Sequence, residues 1–534
     1  MTRFFALLPI VALVVAACAA PSTPPGAATT SGPKRGGTFV FAIRAEPGVL
    51  NPAFDVDADP ASIGANVYNA LVRQNLDLSV TPSLAERWEI SPDGKTYSFS
   101  LRRGVTWHDG KPFTSADVKF SIEDVVLPYH SQGRAMFSVV DRIDTPDDLT
   151  VRFTLKNAFP PFLQYLTLDG LPVYPKHLWA GTDIQKNPLN SAPVGTGPFV
   201  FKEWVRGDHV TLERNPSYWI KDRPYVDRIV VRFIQDPNAR IQALEAGEVD
   251  ALFGFIPVSE FLRLAKDPRF QTTRQGSERL ASISTNMCFN LAKAPFSNID
   301  VRRAIASALD KDLISDKATF GTSKVAKSHI PQGLQWSNPD ARQYPHDVRN
   351  AETLLDAAGL TKNASGTRFR MTLKWNASDP EHQKVGEVSQ QLLKAVGIDV
   401  QIQPTEVAAF ENQIFVNYDF DATLRTIGTG PDPVISAMWR AYHSSNIRPV
   451  RLLNNTRFRN ARVDELFDKS AVEADQLKRN AYFKEIQAIL MDELPCYPIL
   501  EKADPKIWKA TWDGDVVAGP ALGLRNSWDN IWKK

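Results

Sequence analysis

Cysteine is nearly absent from this chain: three in 534 residues, Cys18, Cys288 and Cys496. Cysteines so few and so far apart exclude a disulfide framework and a clustered zinc site. For Cys288 and Cys496 two readings stay open, buried thiols or one bridge in an oxidising compartment. An excess of one charge is also missing. Lys and Arg number 62 against 60 Asp and Glu, a formal balance of +2. That argues against nucleic acid or an acidic polymer as the main partner. Enzyme signatures are lacking too: there is no G-x-S-x-G elbow, P-loop, H-E-x-x-H or strand-to-helix G-x-G-x-x-G. The eight histidines never recur at i, i+3 or i+4, so no metal-binding helix face is expected. No catalytic residue, metal or cofactor is therefore expected. His108 and Asp109, in WHDG, read better as part of a hairpin turn than as a catalytic or metal pair. GTGP occurs at Gly195–Pro198 and Gly428–Pro431, where proline favours a rigid turn over a phosphate cradle.

Long apolar runs are confined to the first residues. Arg3 gives a positive start, Phe4 to Val15 an apolar stretch, and Ala16–Ala17–Cys18 a small-residue end. This is the pattern of a secretion signal, too short for the roughly twenty residues of a membrane span. Val15–Ala16–Ala17–Cys18 reads as a lipobox whose cysteine is lipidated. Ordinary cleavage a few residues later, leaving Cys18 inert, is the other reading. Residues 18–35, rich in Ala, Pro, Ser, Thr and Gly, read as a flexible linker. Loss of residues 1–17 removes only Arg3, so the balance falls to +1. An apolar content of 43% and a charged content of 23% are those of a globular chain. A length near 500 residues exceeds one core and predicts two to four domains.

The most legible segment is Thr81 to Ile122. Pro82, Pro92, Asp93–Gly94 and Asp109–Gly110 mark turns. Tyr97, Phe99 and Leu101 alternate with polar residues, the period of a half-buried strand. Thr114 followed by Asp117 predicts a capped helix start. Further along, PVGTGPF (193–199), GDHVTLERNPSYW (207–219) and GEVDAL (247–252) precede strands and turns. Residues 62–72 are expected to be helical, as are 348–358, 381–396 and 473–492. Glycines at 359 and 397 follow two of these as C-terminal stops. The strand Phe369–Trp375, the helix 381–396 and the strand Asp399–Gln403 form an expected βαβ unit with parallel strands.

Together with DVRRAIASALDKDLI (300–314) and YPHDVRNAETLLDAAGL (344–360), these landmarks closely resemble, in order, those of the family 5 extracellular solute-binding proteins of bacterial ABC importers. The resemblance spans nearly the whole mature chain. It implies an α/β fold of the large type II periplasmic-binding-protein kind, two-lobed, with an extra subdomain in lobe I and two hinge crossovers. Carried over, lobe I would comprise 36–66, 191–283 and 495–534. The subdomain would be 67–190 and lobe II 284–494. Cys288 and Cys496 would then flank the crossovers, which makes a hinge disulfide an expectation to test. The implied function is capture of a small or peptide-like solute by hinge closure and delivery to an inner-membrane permease. The protein would be a monomer in the periplasm or cell envelope, anchored by lipid on Cys18. A secreted hydrolase and a sensory lipoprotein on the same fold are the competing readings.

The resemblance also suggests ligand contacts. In peptide-binding branches an aspartate shortly before an Asp–Pro-type turn clamps the ligand ammonium. Aligning Asp432–Pro433 with that turn places Thr429 at the clamp, and Thr429 cannot form an ion pair. This departure puts a free-amine peptide in doubt. Asp432 is a further candidate, although a turn role suits it better. Arg425 could meet an anionic group, and Asn286 could contact ligand from the start of lobe II. Lobe I offers Glu46, Asn51 and Tyr129. Trp375 ends a parallel strand, where open α/β sheets place ligands, but it could equally be core.

Overall fold

The computed structural model describes residues 32–54, 58–75, 78–130, 132–254, 256–274, 283–502, 505–517 and 526–534. The signal and Cys18 lie outside the described residues. Two lobes are each built on a mixed sheet. In lobe I seven strands run in the order Phe270–Thr273, Lys506–Lys509, Ala251–Phe253, Thr38–Ile43, Arg228–Phe233, His209–Arg214 and Phe199–Val205. In lobe II six strands run Lys324–Val325, Cys496–Glu501, Ile283–Phe289, Ala422–Gly428, Phe369–Asn376 and Ile398–Thr405. The last two pair in parallel across the helix Pro380–Ala395, the expected βαβ unit. The helix Val348–Ala357 likewise stops just before Gly359, which takes a φ of +76° that a side chain would disfavour.

The long motif-bearing segment forms a four-stranded antiparallel sheet beside lobe I, ordered Ala85–Ile90, Thr96–Leu101, Thr150–Leu155, Val140–Asp147. Tyr97, Phe99 and Leu101 are buried as the alternation requires, and Phe99 meets Phe153 edge-on. Asp117 accepts from the Thr114 backbone N–H at 2.8 Å, so the helix Ser115–Phe120 starts where the capping pattern places it. GTGP at 195–198 is a turn: a Cβ on Gly195 would lie 1.9 Å from the Val67 carbonyl oxygen. His108 binds the same turn, accepting from Gly195 N–H at 3.2 Å and donating to the Gly197 carbonyl at 3.0 Å.

Three expectations shift. The helix near residue 62 runs Ala58–Val67 and stops five residues early, because the Val67 carbonyl turns to the Gly197 N–H. The helix expected over 473–492 begins at Gln476, where Asp475 caps the Leu477 N–H. The strand Cys496–Glu501 pairs with Ile283–Phe289 inside the lobe II sheet. The return to lobe I expected at 495 therefore comes after Glu501, with Lys506 the first residue back in its sheet. The two cysteines are bonded, Cys288 to Cys496, across directly paired strands. The bridge thus staples one sheet rather than two crossovers, and the buried-thiol reading is excluded.

Candidate functional site

A cavity of about 380 Å3 opens between the lobes. Its lobe I wall comes from residues 130–170: His130, Met136, Gln164, Tyr165, Thr167 and Asp169. Thr167 donates to the Gln164 carbonyl at 2.8 Å, closing the turn after the short helix Phe162–Tyr165. Gly170 is needed there, since a Cβ would lie 2.3 Å from the Tyr165 carbonyl oxygen. Tyr165 stacks on Phe159 at 5.8 Å between ring centres. Burial, aided by the Asp432 carboxylate of the other lobe, pushes its hydroxyl pKa up.

The lobe II wall is the end of the strand Ala422–Gly428 and the loop after it. Ile283 pairs with Gly428, so both strands deliver residues to one edge of the sheet. Thr426, Gly428, Gly430, Pro431, Ser436 and Arg440 line the cavity. The loop is held from behind. Asp432 accepts both Arg479 Nη groups, at 2.7 and 2.8 Å, and the Val434 N–H at 3.0 Å. Ser436 Oγ then accepts from the Met438 N–H at 3.2 Å and starts the helix Ala437–Tyr442, whose last turn carries Arg440.

A larger cavity, about 700 Å3, is lined by lobe I alone and meets the first at Thr167 and Asp169. Its arginines are matched. Arg73 faces Asp529 at 3.6 Å, and Arg102 donates to the Ser83 carbonyl and covers the Trp219 ring. Movement of the lobes cannot assemble a cavity walled by one of them, so the smaller one is the candidate site.

The anticipated contacts are mostly engaged elsewhere, and the reasons are local. Asp432 is buried in its bidentate pair with Arg479. Breaking such a pair typically costs about 3–5 kcal/mol, so Asp432 is a strut rather than an ammonium clamp. Thr429 is fully buried and has contacts of its own, while its neighbours Gly428 and Gly430 reach the cavity. Arg425 precedes Thr426 on a strand and so takes the opposite face, over the Phe415 ring and bonded to Asn455. Asn286 donates back to the Ser284 carbonyl at 2.7 Å. Trp375 is core: its ring fills the space of the absent Gly386 side chain, whose Cβ would come within 2.6 Å. Glu46 accepts from Trp204 Nε1 and the Gly207 N–H. Asn51 is buried between Tyr174 and Asn190. Tyr129 packs edge-on against Phe54. None of these eight lines the interlobe cavity.

Arg440, Tyr165 and Thr167 were not anticipated. An arginine in a last helical turn reads as a partner of the helix dipole, so its pattern alone does not signal a cavity. Tyr165 and Thr167 sit in an irregular turn that carries no period.

Comparison with known proteins places this geometry. The family model described as bacterial extracellular solute-binding proteins, family 5 Middle, matches residues 79–449. The oligopeptide-binding protein AppA of Bacillus subtilis is 28% identical over 510 residues, covering 92% of this chain and 91% of that protein. Heme-binding protein A of Haemophilus influenzae is 29% identical over 519 residues, covering 91% of each. The crystal structure of the ABC transporter substrate-binding protein CtaP from Listeria monocytogenes superimposes with a TM-score of 0.81 at 26% identity. It covers 94% of this chain and all of that one.

Proposed function

The chain belongs to the family 5 bacterial extracellular solute-binding proteins of ABC importers, and from that premise we propose how it works. Its interlobe cavity captures a small or peptide-like solute by hinge closure, and the closed form is handed to an inner-membrane permease. One observation supports this reading above others: the cavity is walled by residues 130–170 of one lobe and by 283 and 426–440 of the other. A solute touching both walls gains its full set of contacts only when the lobes approach, so binding shifts the population toward the closed state. Among the described residues, the jaws divide at the crossovers, with those up to 274 and from 505 onward on one side and 283–502 on the other. Thr426, Ser436 and Arg440 supply polar contacts from lobe II, and Gln164 and Thr167 from lobe I. The relatives' names point to peptide-like and heme-like cargo. The signal-like N-terminus supports tethering to the cell envelope through lipidated Cys18. The described residues contain no helix long and apolar enough to cross a membrane.

The expected result of native mass spectrometry on freshly purified protein is an added mass that leaves on denaturation. The released solute, returned to fresh protein, should be recovered unchanged. Turnover of that solute would contradict a binding role and favour the hydrolase reading.

A further inference from the structure

The lobe II wall of the cavity carries a positive charge that pairs with no carboxylate among the described residues. Arg440 lines the lobe II wall, its Nε is enclosed, and it makes no hydrogen bond or ion pair with any described residue. The surroundings add to the imbalance rather than relieve it. Arg425 lies behind Arg440 within electrostatic range and is itself buried, its guanidinium bonded only to the neutral Asn455 among the described residues. The Tyr442 hydroxyl beside them is buried and has no hydrogen-bond partner among the described residues. The nearby acids are committed. Asp432 is taken by Arg479, and Asp169, across the cleft, has a partner of its own. Burial with no compensating carboxylate pulls the Arg440 pKa down. Arg440 is half-buried with only its Nε enclosed, and a partly desolvated guanidinium without a counter-charge is unfavourable. A planar donor fork is also the group best matched to a carboxylate, which it holds through two parallel N–H···O bonds.

We propose that Arg440 is the anchor for a carboxylate of the transported solute, so that this importer selects carboxylate-bearing cargo. The inference rests on the interlobe cavity being the solute site. It also accounts for the neutral Thr429. The cleft favours its cargo through the acidic end, and no carboxylate among the described residues lines its lobe II wall to clamp an amine.

The test uses the full mature protein, as wild type and as Arg440→Gln. The probe is the dialysable fraction of a bacterial lysate, half of it methyl-esterified so that carboxylates become neutral esters. Retained solutes are eluted and weighed by mass spectrometry. Wild type should retain at least one solute from the untreated fraction, and esterification should abolish that retention. Arg440→Gln should retain it at least about tenfold less, the loss expected of a charge-assisted contact. Without solute the variant should melt no lower than wild type, because only an unbalanced charge is removed. Equal retention by the variant, or equal retention of esterified material, overturns the carboxylate anchor and leaves the binding function standing. Loss in the variant with no effect of esterification also overturns it, in favour of a different anion. A wild type that retains nothing from either half contradicts the binding function itself, and this inference with it.

Discussion

Stability should fall steeply as the pH is lowered from about 6.5 toward about 4, before most carboxylates titrate. Three histidines carry this expectation. His329 donates to the Cys496 carbonyl at 3.1 Å, packs edge-on against Tyr442, and has its other nitrogen buried without a hydrogen-bond partner among the described residues. Burial, helped by the charge on Lys311, lowers its pKa from 6.5 to about 4. His108 is lowered to about 4 as well, by burial. Geometry agrees: its Nδ1 accepts the Gly195 N–H and cannot also carry a proton. His382 is also brought to about 4 by burial, against the pull of Asp379 3.6 Å away.

The sign follows from linkage. Between the two pKa values the unfolded chain binds protons that the folded chain refuses, so stability rises with pH across that window. It is fully present above about 6.5 and lost as the pH falls toward about 4. A shift of this size is worth about 3 kcal/mol for His329 alone. With all three groups the slope approaches about 4 kcal/mol per pH unit. Urea denaturation between those limits should show it, and His329→Gln should remove about one proton's worth of slope. A profile flat down to pH 4 in wild type would contradict this reading of the buried imidazoles.

Reduction of the Cys288–Cys496 bridge should destabilise lobe II without loosening the hinge. The bond joins residues 208 apart in the chain. On the chain-entropy view this restricts the unfolded state, with a typical stabilisation of about 2–5 kcal/mol. Both sulfurs sit on adjacent strands of one sheet, with every neighbouring strand on the same side of the crossovers. Denaturation of the Cys288→Ala/Cys496→Ala variant, or of wild type with reductant, should show a loss of that size. Solute affinity under native conditions should be unchanged. Lost affinity at unchanged stability would instead place the bridge in the hinge motion.

Legibility in the sequence follows periodicity. The strand Thr96–Leu101, the cap at Thr114 and the βαβ unit of lobe II rest on local alternation and capping, which survive without tertiary context. The site is different. Its lobe II wall includes Thr426 to Pro431, beside the Asp432–Pro433 turn that the family resemblance aligns, yet strand alternation and the Arg479 strut turn Arg425 and Asp432 away from the cavity. Arg479 is 47 residues from Asp432 in the chain, and no local pattern announces that pairing. Strand position alone leaves Trp375 open between core and cleft, and it is the missing side chain of Gly386, on the helix packed against it, that makes room for its ring in the core.

The most direct test of the account is small-angle X-ray scattering of the protein stripped of solute by denaturation and refolding, then reloaded with the solute it released. The account predicts that the radius of gyration falls on reloading, as two lobes close over the cavity between them. Superimposable curves, with native mass spectrometry confirming that the solute is bound, would contradict it.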